Sequence, residues 1–459
     1  MKSEVLYTLA GGACILFMVL YAYEVSLNDI VCGSSLEESV QPDEKQPGLI
    51  YGHATSGIVF TGNRINTFKE KDIRYRHYTT RSGHVSNLRH GTEGCDKWSV
   101  VTTIFDITEA VMKQSSLRDW CIVVVGDMKG PHEYKFPSTQ YNTTRVFLSN
   151  IQQDKLRDHF SIIKLLPWNS FGRKNIGYLY AILNGAKYIW DFDDDNELIG
   201  ATMPDVPDIS SNSSKYEVSY ISGDYKFITF NPYGVMGAPT SPSWPRGLPL
   251  EHIKLDNNGD QSLSEKTIPS RSIGVIQSLA NNDPDVDAIY RLTQPLPFSF
   301  PSYDSKHGGK LHSLLIPSQT YVPYNAQATL NMYNAFWSLY LPVTVNGRVS
   351  DIWRSYIQQR LARDIGISLV FSPPLVSQFR NSHNYIADLD SESHLYLRSL
   401  RLLEQLNEWE PVSKTLPGRL EEVYIMLYEK DYIKIQDVFL MQAWINDLIK
   451  TNYIWPQCI

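Results

Sequence analysis

The sequence is poor in cysteine, has no excess of positive charge and contains no repeated or low-complexity segment. Its five cysteines are too few for a fold held together mainly by disulfides, although one or two bridges among Cys32, Cys95, Cys121 and Cys458 are compatible with the count. The net charge of −7 argues against binding to a nucleic-acid backbone, because such proteins are normally basic. The 459 residues predict one large elaborated domain or two closely packed ones.

Long apolar runs are also scarce, and the clearest one lies near the N-terminus. Residues 5–23, VLYTLAGGACILFMVLYAY, are long enough to span a bilayer. A cleaved signal peptide is the alternative, but its apolar region is normally shorter and is followed by small residues. We therefore expect a cytosolic tail (1–4), a transmembrane signal anchor (5–23) and a polar luminal stem (24–95). The sequons at Asn142 and Asn212 suit a luminal body, although such tripeptides also occur by chance.

Apolar, β-branched segments predict strands in the part that follows the stem. These segments are WSVVTTIF (98–105), WCIVVVGD (120–127), FSIIKLLPW (160–168) and AKYIWDF (186–192). Helical patterns alternate with them, which predicts an α/β fold with a doubly wound, mostly parallel sheet. In such sheets, ligands bind beyond the carboxyl ends of the strands.

Capping signals delimit the predicted helices. DITEAVMKQSSL predicts a helix with Asp106 as its N-cap, and IGYLYAILNG predicts one that ends at Gly185. Residues 201–350 are rich in loops. SDIWRSYIQQRLARDIG (350–366) predicts a further helix with Ser350 as its N-cap, and 391–450 shows helical periodicity.

The segment YIWDFDDDNELIG (188–200) places four aspartates at the end of a predicted strand. A calcium loop of the EF-hand type fails, because Asn196 and Thr202 would stand where that loop needs Gly and Glu. A phosphatase of the haloacid dehalogenase type begins its domain with a similar motif, whereas here about 95 residues of α/β pattern precede it. A divalent cation held against a nucleoside diphosphate is the third interpretation, and a solvated acidic turn is the fourth.

Alternation along an extended chain places Asp191, Asp193 and Asp195 on one side, where they could contact ribose and metal. Their hard oxygen ligands suit Mn²⁺ or Mg²⁺. The helix before this strand opens with FGRKNIG, so Arg173 and Lys174 lie where the helix dipole disfavours cations. A docked anion such as a diphosphate explains them, and an ion pair with the aspartates is the alternative.

Two further strand ends carry polar residues. Asp127 closes the strand CIVVVGD and is a candidate contact for a base or ribose, with a turn role as the alternative. Thr102 and Thr103 end the first strand, either within reach of the same crevice or as ordinary strand residues.

The motifs WSVVTTIFDITEAV, WCIVVVGD, LLPWNSFGRKNIGYLYAI, DFDDDN, NPYGVMGAPTSPSWPRGLPL, NDPDVDAIYRLT and LPVTVNGRVSDIWRSYIQQRL occur in this order. Together they resemble the STELLO family over roughly residues 96–410. That family consists of glycosyltransferase-like type II Golgi membrane proteins with a GT-A fold, whose plant members are linked to cellulose synthase assembly. The resemblance implies a GT-A-like domain at 96–390, with a nucleotide-sugar-binding half (96–200) and an acceptor half (201–390), and a helical C-terminal extension at 391–459.

The resemblance also implies roles for individual residues. Asp127, with Thr103, would contact the nucleoside, Arg173 and Lys174 the diphosphate, Asp191 the nucleotide sugar, and Asp193 and Asp195 the metal. Trp244 and Arg246 would lie near the sugar or acceptor, with a packing loop as the alternative. Asp283, Asp285 and Asp287 could bind sugar hydroxyls or begin a helix. Asp351, which we expect in a first helical turn, would be the base that deprotonates the acceptor hydroxyl.

We therefore expect a single-pass type II Golgi membrane protein with a luminal catalytic domain. It would transfer a sugar from a nucleotide-sugar donor to a glycan or glycoprotein acceptor with Mn²⁺ or Mg²⁺. The alternative is a catalytically silent GT-A-like scaffold that organises other glycan-synthesising enzymes.

Overall fold

The computed structural model describes Tyr78 and residues 95–459, apart from 201–202, 204–205, 223–226, 255–262, 302, 305–308, 311 and 381–383. The described residues belong to one compact unit. The predicted tail (1–4), anchor (5–23) and nearly all of the stem (24–95) lie outside them. Within the described ranges, no helix combines the length and apolar character needed to cross a bilayer.

Strands and helices alternate through the first half of the described chain, and helices dominate its end. The strands are β1 Lys97–Thr102, β2 Cys121–Val125, β3 Arg145–Leu148, β4 Tyr188–Phe192, β5 Asn196–Leu198, β6 Lys215–Ile221, β7 Leu263–Pro269, β8 Ile273–Asn282, β9 Tyr303–Asp304, β10 Gly309–Lys310, β11 Leu314–Leu315, β12 Ala328–Met332 and β13 Ser368–Gln378. The α-helices are α1 Glu109–Ser115, α2 Asn150–Lys155, α3 Lys174–Leu183, α4 Pro232–Val235, α5 Ala288–Thr293, α6 Gly347–Ala362, α7 Tyr385–Ser391, α8 Ser393–Glu408, α9 Leu416–Glu429 and α10 Ile435–Lys450.

Eleven strands form one sheet in the order β3-β2-β1-β4-β12-β8-β13-β11-β6-β7, with β5 paired to β13. Strands β3, β2, β1 and β4 are parallel, β12 runs antiparallel between β4 and β8, and β8 pairs in parallel with β13. The predicted α/β fold with a large central sheet is thus confirmed. The parallel strands end at one edge of the sheet, where β12 begins.

Helix α3 packs tightly on the parallel strands and positions its first turn at that edge. All ten of its residues are buried, because apolar side chains recur around the whole helix. Gly177 permits the close approach, since a Cβ there would lie 2.7 Å from Val100 and 2.8 Å from Val125. Gly185 follows the helix with φ of +88°, as predicted for its C-terminal glycine.

A disulfide joins Cys95, just before β1, to Cys121 at the start of β2. The sequence left the pairing of its cysteines open. Cys458 is free and partly buried.

Three local predictions are wrong. Residues 160–168 do not form a strand, because Ser161–Lys164 is a 3₁₀ helix. Its first N–H groups, of Ser161 and Ile162, donate to the carboxylate of Asp447, a contact that local sequence patterns cannot reveal. The edge strand is β3 instead, whose four residues RVFL pair with β2.

The other two wrong predictions are helix starts, each misplaced by a few residues. Helix α1 is capped by Thr108, whose hydroxyl accepts from Val111 N–H, rather than by Asp106. Helix α6 is capped by Asn346 and begins at Gly347, so Ser350 is not its cap. Asp351 therefore lies in the second turn of α6 rather than the first.

The C-terminal helices pack closely on the sheet domain. In α10, the buried carboxylate of Asp437 accepts from Val343 N–H at 2.8 Å and Thr344 N–H at 2.9 Å, and Trp444 donates to the Trp337 carbonyl at 3.0 Å. These contacts fix the loop that leads into α6, so the C-terminal helices help to position Asp351.

Candidate functional site

The acidic turn after β4 lies at the carboxyl edge of the parallel strands. Residues 193–195 connect β4 to β5, and Asp193, Asp194 and Asp195 are each partly exposed. Asp191, within β4, is fully buried. Of the three aspartates that the sequence placed on one side, Asp193 and Asp195 are therefore the accessible ones.

Asp191 is held by protein groups on both oxygens. Lys174 Nζ lies 2.6 Å from Oδ1, and the hydroxyl of Tyr178 donates to Oδ2 at 2.7 Å. Arg354, from α6, donates to the same Oδ2 at 3.3 Å. Asp191 thus links α3, β4 and α6, and it has no accessible oxygen for a nucleotide.

The ammonium of Lys174 lies beneath the acidic turn rather than at its surface. It donates to the Phe192 carbonyl at 2.8 Å, the Ala326 carbonyl at 2.7 Å and Asp193 Oδ1 at 3.0 Å. Burial alone would lower the pKa of Lys174, but the charges of Asp191 and Asp193 outweigh it and raise that pKa. The alternative expected from the sequence, an ion pair with the aspartates, describes its contacts in the structure.

Negative charge accumulates at Asp193. Burial is the largest cause that raises its pKa, to about 7, while Lys174 lowers the pKa and Asp195 raises it. Its side chain nevertheless keeps 31% of its surface exposed, so water reaches the carboxylate. Asp193 is the aspartate that joins the buried ion pairs to the accessible part of the turn.

Hydroxyl groups from the segment between β1 and α1 hold the middle of the turn. Thr103 donates to the carboxylate of Asp194, and the Thr108 hydroxyl donates to the Asp194 carbonyl at 2.6 Å. Asp194 thus faces away from Asp193, as the alternation predicted, but it is anchored rather than free. Thr103 reaches the acidic turn by this contact.

Asp195 has one satisfied and one unsatisfied oxygen. Gln378, the last residue of β13, donates to Oδ2 at 3.2 Å. Oδ1 is buried and has no hydrogen-bond partner among the described residues. A buried carboxylate oxygen without a donor is unfavourable, so a water molecule or a cation that reached this atom would satisfy it.

Asp127 shapes the loop that precedes α3. Its carboxylate accepts from the N–H groups of Met128 at 2.7 Å, Asn169 at 2.8 Å and Ser170 at 3.0 Å. These are the contacts of a turn-stabilising residue, the alternative that the sequence left open. Asp127 is 7% exposed and does not contact the acidic turn.

The guanidinium of Arg173 is buried on the side of the sheet edge that carries Asp127. It lies 3.7 Å from the ring centroid of Trp168 and donates to Gln153 Oε1 and the Leu166 carbonyl. Burial lowers the pKa of Arg173 to about 10, against the opposing charge of Asp127. Protein groups thus satisfy Arg173, which has 1% of its surface exposed.

The second cluster of charges surrounds Arg246. Its guanidinium donates to Asp285 at 2.8 and 3.1 Å and to Asp351 at 2.9 and 3.1 Å. Burial would lower the pKa of Arg246, but Asp285 and Asp351 raise it. Burial would raise the pKa of Asp285, yet Arg246, with Arg380 and Asn325, lowers it to about 2. Asp351 is therefore an ion-pair partner in this structure.

Trp244 contacts Asp287, a different carboxylate from the two that bind Arg246. Its indole N–H donates to Asp287 Oδ2 at 2.6 Å, and Asp287 Oδ1 caps α5 by accepting from Tyr290 N–H. The predicted helix-start role is confirmed for Asp287. Asp283 pairs with Arg291 instead.

Buried amides connect the two charged clusters. Asn325 donates to Asp285 Oδ2 at 2.8 Å and to Gln327 Oε1 at 2.9 Å. Gln327 donates to Gln378 Oε1 at 2.9 Å, and Gln378 reaches Asp195. A continuous hydrogen-bond path thus runs from Arg246 to the acidic turn.

The backbone of Ala326 gives a second connection. The Ala326 N–H donates to Asp351 at 3.2 Å, and the Ala326 carbonyl accepts from Lys174. The structure therefore brings Lys174, Asp191, Asp193 and Asp195 together, with Arg246 and Asp351 beside them. Arg173, Asp127 and Trp244 lie apart from the acidic turn.

A cavity beside this path is small. It holds about 20 Å³ and is lined by Gln277, Asp285, Asn325 and Gln327, among others. That volume suits a water molecule and excludes a sugar. A sugar therefore does not fit inside this cavity.

Both predicted glycosylation sites are exposed, in loops. Asn142 lies between β2 and β3, and Asn212 lies before β6. The side chain of Asn212 accepts a hydrogen bond from Arg271 at 2.9 Å.

Comparisons with known proteins show similarity to one family. The family model described as STELLO glycosyltransferases matches residues 348–459. Two proteins of Arabidopsis thaliana, the probable glycosyltransferases STELLO1 and STELLO2, are each 29% identical over 366 residues, which is 79% of this chain. Over these residues the chain is similar to the STELLO family. It spans about half the length of these curated relatives, 45% of STELLO1 and 46% of STELLO2.

The STELLO family model begins within α6 and includes α8, α9 and α10. The matched segment thus contains Asp351 and Gln378, but not the acidic turn. It also contains Asp437, which fixes the loop before α6.

The acidic turn carries more carboxylates than cations. Among the described residues, the four aspartates 191 and 193–195 contact two cations, Lys174 and Arg354. Asp194 and Asp195 contact neither, so negative charge exceeds positive charge at the turn. No group of three or more His, Cys, Asp or Glu residues suited to a metal occurs in the described part. Mg²⁺ sites commonly use one or two carboxylates together with substrate phosphates, so a cation at Asp193 and Asp195 would need further ligands from a substrate.

Sequence reasoning missed the amides Asn325, Gln327 and Gln378. A signal for two of them exists, because Gln327 directly precedes a fully buried strand and Gln378 ends another. Polar residues at the ends of buried strands in an α/β sheet are candidates for the ligand edge.

Proposed function

We propose that this protein is a GT-A-like glycosyltransferase that uses Mn²⁺ or Mg²⁺ and a nucleotide-sugar donor. The observation that carries the proposal is the acidic turn, where Asp195 Oδ1 has no donor among the described residues and two aspartates contact no cation. A divalent cation held by Asp193 and Asp195 would neutralise the negative charge of the diphosphate as its bond to the sugar breaks. The acceptor would be a glycan or a glycoprotein.

The protein groups around the turn would keep the two carboxylates in place. Lys174 fixes Asp193, Gln378 orients Asp195, and Thr103 and Thr108 hold the peptide between them. Rigid carboxylates reduce the entropic cost of ligand binding. Asp191, Lys174 and Arg354 form the buried base of this arrangement.

The base role of Asp351 stays a prediction. To accept a proton from an acceptor hydroxyl, one oxygen of Asp351 has to be released from Arg246, which donates to both. Substrate binding would therefore need to move Arg246 before Asp351 could act as a base.

The direct test is binding of a nucleotide-sugar panel in the presence of Mn²⁺, measured by calorimetry. The double variant Asp193→Asn and Asp195→Asn should lose both binding and transfer. Asp96→Asn is a suitable control, because Asp96 precedes β1 at the opposite edge of the sheet and its side chain is 50% exposed. Absence of binding to the wild-type protein, with either metal, would sink the enzyme proposal.

A second candidate is the catalytically silent scaffold for other glycan-synthesising enzymes. It is favoured by the engagement of Arg173, Lys174, Asp191 and Asp351 in protein contacts. Cells that lack the protein distinguish the two candidates. Rescue by the Asp193→Asn and Asp195→Asn double variant supports the scaffold, and failure of rescue by a stably folded variant supports catalysis.

We also propose a single-pass type II Golgi membrane location with the described domain in the lumen. The apolar segment 5–23, the disulfide Cys95–Cys121 and the exposed sequons Asn142 and Asn212 support it. Glycosidase treatment should shift the wild-type protein on a gel. Asn142→Gln with Asn212→Gln should abolish the shift, and an unshifted wild type would contradict a luminal domain glycosylated at these sites.

A further inference from the structure

One arginine near the acidic turn has no hydrogen-bonded partner within the described part of the chain. Arg380 follows β13 by two residues, and its side chain is 9% exposed. The nearest carboxylate oxygens are Asp285 Oδ1 at 3.7 Å and Asp283 Oδ2 at 3.9 Å, both beyond hydrogen-bond distance. Its Nε is buried and has no partner among the described residues.

The two nearby acids already have closer cations. Asp285 receives two hydrogen bonds from Arg246 and one from Asn325. Asp283 pairs with Arg291. Arg380 is therefore not needed to satisfy either carboxylate, and the ion pairs around it leave its donors unused.

Other arginines surround Arg380. Burial is the largest cause that lowers its pKa, to about 10, and the charges of Arg291 and Arg348 lower it further, against Asp285 and Asp283. Arg291 donates to Asp283, and Arg348 pairs with Glu392. A buried cation among like charges is unfavourable unless an anion joins it.

The position of Arg380 relates it to the acidic turn. Gln378, two residues earlier, donates to Asp195, and Phe379 N–H donates to the Asp195 carbonyl at 3.3 Å. Arg380 is the next residue, so these two contacts hold the chain that carries it beside the acidic turn.

We propose that Arg380 binds the diphosphate of the nucleotide donor, beside the cation at Asp193 and Asp195. The inference rests on the proposed function. It assigns to Arg380 the diphosphate contact that the sequence predicted for Arg173 and Lys174. The planar guanidinium matches phosphate oxygens with two parallel N–H donors. The diphosphate would thus lie between a cation held by carboxylates and a fixed positive side chain.

The test compares the full-length wild type with Arg380→Met and Arg380→Lys. Binding of UDP, GDP, CDP and inorganic pyrophosphate is measured by calorimetry with Mn²⁺ present. Arg380→Met should weaken binding of the diphosphates by about tenfold to a hundredfold, as expected for lost hydrogen bonds between charged groups. Arg380→Lys should bind the diphosphates with an affinity between those of the wild type and Arg380→Met. Added salt should weaken binding to the wild type more than binding to Arg380→Met.

Thermal unfolding separates anion binding from a structural role. Arg380→Met should leave the Tm of the ligand-free protein unchanged or raise it, because it removes a buried cation without a bonded partner. Arg360→Met is the matched control. Arg360 is a buried arginine whose donors contact the carbonyls of Leu406 and Trp409, so its loss should lower the Tm and leave the binding affinity unchanged.

The outcomes distinguish the two proposals. If the wild type binds no nucleoside diphosphate with either metal, both the proposed function and the role of Arg380 are overturned. If the wild type binds and Arg380→Met binds equally well, the role of Arg380 alone is overturned. A lowered Tm together with unchanged affinity would identify Arg380 as a structural residue.

Discussion

Replacement of Asp287 by asparagine should change how the stability of the protein depends on pH. Asp287 is 1% exposed, and no cation contacts it among the described residues. Its carboxylate accepts from Tyr290 N–H and from the Trp244 indole. Burial is the main cause that raises its pKa to about 6; Glu392 and Asp285 raise it further, against these two hydrogen bonds.

The size of the effect follows from the pKa. A rise from 3.8 to about 6 corresponds to about 3 kcal/mol, at 1.36 kcal/mol for each pH unit. Between these values the folded protein holds a proton that the unfolded chain has released. The free energy of unfolding therefore falls as pH rises through this window, and the full penalty is present above about pH 6.

An asparagine at this position would carry no charge at any pH and would thus remove this dependence. The amide oxygen would still cap α5. The NH₂ group would stand where the carboxylate oxygen accepts from the Trp244 indole, and the loss of that hydrogen bond should lower the free energy of unfolding by about 1–3 kcal/mol. The variant should be less stable than the wild type at low pH and as stable or more stable at pH 7.5. Their difference should change by about 2 kcal/mol between pH 4.5 and 7.5.

Chemical unfolding of both proteins at several pH values measures this difference. Groups that do not interact with residue 287 titrate alike in the two proteins, so their contributions to the difference cancel. Asp158→Asn, at a side chain that is 92% exposed, is the control and should leave the pH dependence unchanged. Parallel curves for the wild type and Asp287→Asn would refute the assignment of a buried, uncompensated charge.

Three further substitutions test the contacts that hold the site. Lys174→Met should destabilise the protein by about 3–5 kcal/mol, measured by chemical unfolding, because it leaves Asp191 and Asp193 without their shared cation; a loss below about 1 kcal/mol would contradict the buried pair. Asp437→Ala should destabilise the protein by a similar amount, and Asp437→Asn by less, because the amide keeps one acceptor for the loop before α6. Equal losses of stability in the two variants would argue against these hydrogen bonds. Replacement of both Cys95 and Cys121 by serine should cost about 3–4 kcal/mol, from a closed loop of 26 residues, and reductant should have no effect on that variant.

The elements that could be predicted from the sequence are those with strong local signals. Strands β1, β2 and β4 are runs of apolar residues, and α3 combines helical periodicity with a C-terminal glycine. Together they locate the acidic turn at the carboxyl edge of the parallel strands. The doubly wound pattern therefore placed the acidic turn correctly in the fold before any contact was known.

The features that could not be predicted depend on distant residues. Residues 160–168 do not form a strand, because the carboxylate of Asp447, near the other end of the chain, accepts from the first N–H groups of a 3₁₀ helix there. Arg173 and Lys174 are adjacent cations in the sequence, but they have different partners. Arg173 contacts Trp168 and Gln153, away from the turn, whereas Lys174 pairs with the buried Asp191 beneath it. Local charge patterns cannot separate a ligand-binding cation from one that satisfies a buried acid.

The contacts of residues 325–327 couple the two halves of the site. The Ala326 carbonyl accepts from Lys174, and the Ala326 N–H donates to Asp351. The side chains of Asn325 and Gln327 continue the path from Asp285 to Gln378, which contacts Asp195. A ligand that moves Asp195 must therefore disturb hydrogen bonds that also hold Arg246 and Asp351. Because buried networks of this kind have few alternative arrangements, binding at the acidic turn and release of Asp351 from Arg246 are expected to be energetically linked. If the proposed function holds, the amide side chains as well as the aspartates would determine whether Asp351 responds to a nucleotide at the turn.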